Sequence, residues 1–155
     1  ELYVKRIEDS TYIFRNDNPD PSELIREITV TWRGVTTEKS SQGDILEWRQ
    51  DISDLYYNYP QVLNPDLAER RQIQIGDMIL DEIRTTWSNP PEDLFPAGGP
   101  TIIRSINCPS QGRQYLVDAW LYAPGRDKYQ YLLQLETILN SFRCGESPTT
   151  TSRTD

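Results

Sequence analysis

The sequence predicts an α+β domain: an antiparallel sheet of about five or six strands covered by two main amphipathic helices. Three observations carry that expectation. Short segments of alternating or β-branched apolar residues recur along the chain, divided by Asn, Asp, Pro and Gly turn signals. The strands fall into hairpins in series, most plainly around Gly76-Asp77. Two stretches, near 44–59 and 127–142, instead repeat their apolar residues at steps of three and four. With 155 residues there is room for one core. The reading is a single domain over 1–144 and a disordered Ser/Thr-rich tail over 145–155.

Taken in order, Leu2 to Ile7 and Thr11 to Phe14 read as short strands around Glu8-Asp9-Ser10. The run Asn16-Asp17-Asn18-Pro19-Asp20-Pro21 is a turn that no helix or strand passes through. Glu27 to Trp32 alternates and is β-branched, a strand closed by Gly34. Past a polar loop, Asp44 and Glu47 make a capping box. Ile45, Trp48, Ile52, Leu55 and Tyr59 then draw one apolar stripe of a helix that stops before Pro60. Asn64-Pro65 opens a helical turn near Asp66 to Arg70. Ile73 and Ile75 alternate with Gln into the Gly76-Asp77 hairpin, and the returning strand runs from Met78 to Trp87.

Ser88 to Pro100 follows as a proline-stiffened loop without regular structure, a length at which loops are often functional. A strand from Thr101 to Asn107 turns through Pro109 and Gly112 and returns as Gln114 to Ala123. This last strand has Tyr115, Val117, Ala119 and Leu121 on one face and Leu116, Trp120 and Tyr122 on the other. Apolar residues on both faces mark a central strand covered on both sides. Asp127, with Gln130 three residues on, caps a final helix whose stripe is Leu132, Leu135, Leu139 and Phe142, with Ile138 beside it.

Composition narrows the function. Sixteen basic against 24 acidic residues leave a net charge of −8, which disfavours nucleic acid and anionic membrane surfaces as partners. There is no histidine, the commonest general base and metal ligand. Two cysteines do not make a structural zinc site. Lys5, Lys39 and Lys128 lie near no nucleophile motif. Gly98-Gly99-Pro100 lacks the Lys-Ser/Thr of a phosphate cradle and reads as a tight turn into a strand. Glu47 and Asp51 sit one turn apart on a polar helix face, and Asp81 and Glu82 point to opposite faces of a strand. No catalytic, cofactor or metal site is read from the sequence, and the chain is expected not to be an enzyme.

Two binding candidates remain. Leu94, Phe95 and Pro96, bulky apolar residues in the polar loop, are the expected contact with a protein partner. Tyr56, Tyr57 and Tyr59 form an aromatic cluster suited to stacking on a carbohydrate or another small ligand.

A longer pattern runs through the C-terminal half. Glu82-Ile83-Arg84-Thr85-Thr86-Trp87 is followed by Gly98-Gly99-Pro100, then Trp120-Leu121-Tyr122-Ala123-Pro124-Gly125-Arg126-Asp127-Lys128, then Leu133-Gln134-Leu135-Glu136-Thr137-Ile138-Leu139. Together these resemble the C-terminal half of an uncharacterised family of Bacteroidetes lipoproteins, classed as a domain of unknown function. The resemblance implies export, a lipid anchor upstream of Glu1, and residence in the periplasm or at the outer membrane. It brings no catalytic residue. In general character it implies an accessory subunit of a larger envelope complex, which is the leading functional expectation, with ligand binding by the tyrosines as the alternative. It also makes Asp9-Ser10-Thr11 an acceptor pattern for an O-glycan on Ser10.

The two cysteines are expected to pair. From Cys108 the strand Gln114 to Ala123 runs away for roughly 33 Å. The final helix turns back for roughly 24 Å, which returns Cys144 to the hairpin where the strand began. An exported chain meets the oxidising conditions such a bond needs.

Overall fold

The computed structural model describes the backbone of residues 2–8, 11–16, 24–34, 45–56, 60–92 and 97–145, and the side chains of these except 2–11, 16 and 56. Eight strands form one antiparallel sheet: β1 (Leu2–Glu8), β2 (Thr11–Asn16), β3 (Ile25–Gly34), β4 (Val62–Leu63), β5 (Glu69–Ile75), β6 (Met78–Ser88), β7 (Gly98–Cys108) and β8 (Arg113–Tyr122). Their order is β1-β2-β3-β8-β7-β6-β4, with β5 also on β6. β4 pairs with the last residues of β6 and β5 with its first part, so the two share one edge. Two twelve-residue helices accompany them, α1 (Ile45–Tyr56) and α2 (Tyr129–Asn140).

The expectation of a sheet covered by two main helices is wrong. The chain is mostly strand, and the sheet curls into a half-barrel. The reason is geometric. Seven positions across a sheet span about 30 Å. A twelve-residue helix is about 18 Å long and about 10 Å wide. Each helix therefore covers only the middle of one face. One strand, and the start of another, differ from the sequence reading for local reasons. β4 is too short to show a period, and the start of β5, Glu69-Arg70, falls in the stretch that Asn64-Pro65 marks as a helical turn. That turn is a 3-10 segment, Pro65–Leu67, with the Asn64 side chain accepting from Asp66 N at 3.0 Å.

The register explains the two cores. β8 is central and bonded along its length to β3 and β7, as its two apolar faces foretold. Val117, Ala119 and Leu121 join Ile28, Ile102 and Ile106 beneath Leu135 and Leu139 of α2. Leu116, Trp120 and Tyr122 join Ile83, Trp87 and Ile103 beneath Ile45, Leu46 and Ile52 of α1. Phe142 and Leu132 pack at the margin of the first core, and Ile138 stays largely exposed.

The α1 stripe is rotated from its expected position. Leu55 is 74% exposed, whereas Arg49 and Ser53 are buried. The helix turns these polar residues inward because the strand beneath carries Asp118, buried among apolar neighbours and in need of a counter-charge. α1 is also tied to the segment entering β4: Gln50 Nε2 donates to Gln61 O at 2.7 Å, and Leu63 N donates to Gln50 Oε1 at 3.1 Å.

At the other end of the sheet Cys108 and Cys144 are bonded, with Cα atoms 5.6 Å apart. The bond fixes the chain just after α2 to the end of β7.

Candidate functional site

The loop between β6 and β7 leaves the sheet from a base that the domain itself holds. Trp87, near the end of β6, is buried and lays its indole across β7, so that Nε1 donates to the Leu121 carbonyl on β8 at 3.1 Å. The residue it crosses is Gly99. A Cβ there would stand 2.0 Å from Leu121 O and 3.4 Å from Trp87 Nε1. Only a residue without a side chain lets the indole reach the third strand. At Gly98 a Cβ would stand 2.9 Å from Trp87 O. The Gly-Gly pair read as a tight turn is thus already part of β7, and close packing across the sheet is what requires it.

Trp87 also meets Trp120 edge-on at 4.9 Å and Tyr122 at 6.3 Å, an arrangement favoured by the ring quadrupoles. Asn89 N donates to Ala97 O at 2.9 Å and closes the neck of the loop. Leu94, Phe95 and Pro96 lie outside the described residues. So do Tyr57, Tyr59 and Ser10, and so does the side chain of Tyr56, whose backbone ends α1. The structure places none of these side chains.

The sequence reading missed three buried acidic residues that each meet arginine. Glu27 on β3 accepts from Arg15 Nε at 2.8 Å and, through its other oxygen, from Trp120 Nε1 at 2.7 Å. Asp118 lies 2.7 Å from Arg49 Nε and accepts from Thr101 Oγ1 at 2.7 Å. Glu82 takes three guanidinium groups: Arg71 and Arg84 at 2.8 Å on one oxygen, Arg104 at 2.9 Å on the other. Arg84 and Arg104 reach on to Glu136 and Asn140, fastening α2 to the sheet.

Burial alone would raise the pKa of Glu82. The hydrogen bonds from Arg84, Arg71 and Arg104 outweigh it and hold the carboxyl below its ordinary value. A signal for one of these centres was present in the sequence. Asp118 is the single charge in the apolar run from Tyr115 to Tyr122, and a charge so placed must find a partner.

Glu27, Glu82 and Asp118 are buried, and their contacts include arginines, Trp120 and Thr101. Among the described residues no group of three or more His, Cys, Asp or Glu side chains could hold a metal ion. Among the same residues no helix is long and apolar enough to cross a membrane.

Fold and site together define a curled antiparallel-sheet domain, stapled by one disulfide, with a glycine-dependent base under a long loop. The chain belongs to the family described as Domain of unknown function (DUF4837), whose model matches residues 13–141. The match therefore extends well beyond the C-terminal half on which the resemblance was read. No curated protein matches. Among solved structures the chain is similar to the solution structure of cyanobacterial PsbP (CyanoP) from Synechocystis sp. PCC 6803. The two are 12% identical, the alignment covers 93% of this chain and 92% of that one, and the TM-score is 0.46.

Proposed function

We propose that this domain is a non-enzymatic interaction module, an accessory subunit of a larger envelope-associated complex, and that the β6–β7 loop makes the contact. The observation that carries the reading is the base of that loop. Trp87 and Gly99 lie against the Leu121 carbonyl of β8 and Gly98 packs on Trp87 of β6, while the apolar residues Leu94 and Phe95 fall in a polar, proline-rich stretch of the sequence. Fixing the two ends of a loop reduces the chain freedom that contact with a partner removes. The absence of histidine and the enclosure of Glu27, Glu82 and Asp118 by arginines support a role without chemistry.

Export belongs to the same proposal. The Cys108–Cys144 bond supports it, because structural disulfides form and persist in oxidising compartments. Placement in the periplasm or at the outer membrane, with a lipid anchor upstream of Glu1, is the finer form that the family resemblance suggests.

The test is recovery of the protein from its native source with and without Leu94→Ser plus Phe95→Ser. The double variant should lose a stoichiometric partner while its thermal midpoint stays within about 2 °C of wild type, as substitutions away from the core do. Retention of the partner together with a large fall in the midpoint would show that the loop packs inward, and the reading would fail.

A further inference from the structure

The two sulfurs of the disulfide stand in unlike surroundings. Cys108 is fully buried and belongs to the core beneath α2 that includes Ile106 and Leu139. Its pairing with Arg113 of β8 fixes it at the end of β7. Cys144 is half-buried, and its neighbours Arg143 and Gly145 are exposed. Approach to the bond from solvent is therefore from the Cys144 side.

The segment that carries Cys144 is held by contacts other than the bond. Arg143 Nη1 donates to the Asn140 and Phe142 carbonyls at 2.7 Å each. Phe142 N donates to Leu139 O at 3.2 Å, and the Phe142 ring packs on Tyr115 of β8 with centroids 5.1 Å apart. Leu135 and Leu139 keep α2 on the sheet. Opening the bond thus leaves two thiols side by side in a folded protein, one of them enclosed in the core.

We infer that Cys144 is the sulfur at which a CxxC-type thiol–disulfide oxidoreductase acts on the folded domain, and that Cys108 is the resolving thiol. Exchange proceeds by attack of a thiolate on a disulfide sulfur, so access decides which sulfur joins the partner. In the oxidising direction the Cys144 thiolate attacks the partner's disulfide. A bond forms between Cys144 and one partner sulfur, and the other partner sulfur leaves as a thiolate. The Cys108 thiolate then attacks Cys144 Sγ, the mixed bond breaks, and the partner's remaining sulfur leaves as a thiolate. The domain's thiols have lost two electrons and two protons, and the partner's disulfide has become a dithiol. The second step needs no approach from solvent, because the Cα atoms of the two cysteines are 5.6 Å apart. Charge on Cys108 forms in an apolar core, which slows that step and lets the mixed species accumulate. The reverse sequence opens the bond, with a partner thiolate attacking Cys144 Sγ and Cys108 leaving. A mixed bond to Cys108 would require the partner to enter the core. The inference stands apart from the β6–β7 loop and from whatever binds there.

The experiment reduces the full chain, removes the reductant, pulses it with oxidised glutathione, quenches in acid and locates the glutathione adduct by peptide mass. Cys144 should carry at least about ten times more adduct than Cys108, because a fully buried thiol reacts only through local opening. In Cys108→Ala, which has no resolving thiol, the adduct on Cys144 should persist. In Cys144→Ala the remaining thiol should react about tenfold more slowly, and denaturant should make the two rates alike. A CxxC oxidoreductase lacking its second cysteine, activated as a thionitrobenzoate disulfide, should join Cys108→Ala and not Cys144→Ala. Equal adducts on the two cysteines of reduced wild type would overturn the assignment, whether the core is reachable or α2 has come away. Failure of the oxidoreductase to join Cys144 would overturn it as well. So would a rate difference that survives denaturant, since it would come from the local sequence and not from burial.

Discussion

Opening the Cys108–Cys144 bond should lower stability by an amount the fold lets one work out. The bond joins residues 36 apart in sequence. In the chain-entropy model a loop of that size constrains the unfolded state by about 4 kcal/mol at 25 °C. The Cα separation of 5.6 Å lies in the ordinary range, so nothing in the backbone placement offsets that gain. For a domain of this size each kcal/mol moves the thermal midpoint by about 2 to 4 °C, so reduction should lower it by roughly 8 to 16 °C. α2 should remain docked through Leu135, Leu139 and the Glu82–Arg84–Glu136 contacts, which do not depend on the bond. The assay is thermal unfolding of the wild-type protein with and without reductant, beside Cys108→Ala plus Cys144→Ala under both conditions. Alanine is preferred to serine because Cys108 is fully buried and a hydroxyl there would lack a partner. The double variant should be indifferent to reductant and match reduced wild type to within about 1 kcal/mol, the cost of the small cavities. A wild-type midpoint that moves by less than about 2 °C on complete reduction would refute the reasoning, since the loop would then already be closed in the unfolded chain.

Gly99→Ala should cost about 3 kcal/mol, from overpacking against Leu121 O and loss of the Trp87 hydrogen bond, and should shift tryptophan emission to the red. Gly112→Ala meets no atom within 4 Å and bears only its positive φ, so about 1 kcal/mol is expected, and equal costs at the two glycines would contradict the close-packing account. Glu82→Gln should cost about 3 kcal/mol, because Arg104 would be left buried without its counter-charge. The pKa of Glu82 is lowered on folding, so its stabilisation is fully present above the unfolded value near 4.5 and is lost as pH falls through the lower folded value. Acid titration of stability should therefore flatten in that window in the Gln variant, and an unchanged profile would count against the triple-arginine account.

A good part of this fold was legible in the order of its residues. Alternation and turn chemistry located β3, the β5–β6 hairpin and β8, and the two apolar faces of β8 identified it as central, because side-chain period and burial are local properties of a strand. The pairing of Cys108 with Cys144 followed from there being two cysteines, from element lengths and from the export that the family resemblance implies. Tertiary structure decided what depends on residues far apart in the chain. Sheet width against helix length made the fold a curled sheet rather than a covered one. The charge at Asp118 turned Arg49 inward and rotated α1 away from its most apolar stripe, because a buried carboxylate without a counter-charge costs more than an exposed Leu55. Glycine at position 99 has its reason in the indole of Trp87 and the carbonyl of Leu121, twelve residues before it and twenty-two after it. No local pattern encodes such a crossing, since it exists only once three strands lie side by side.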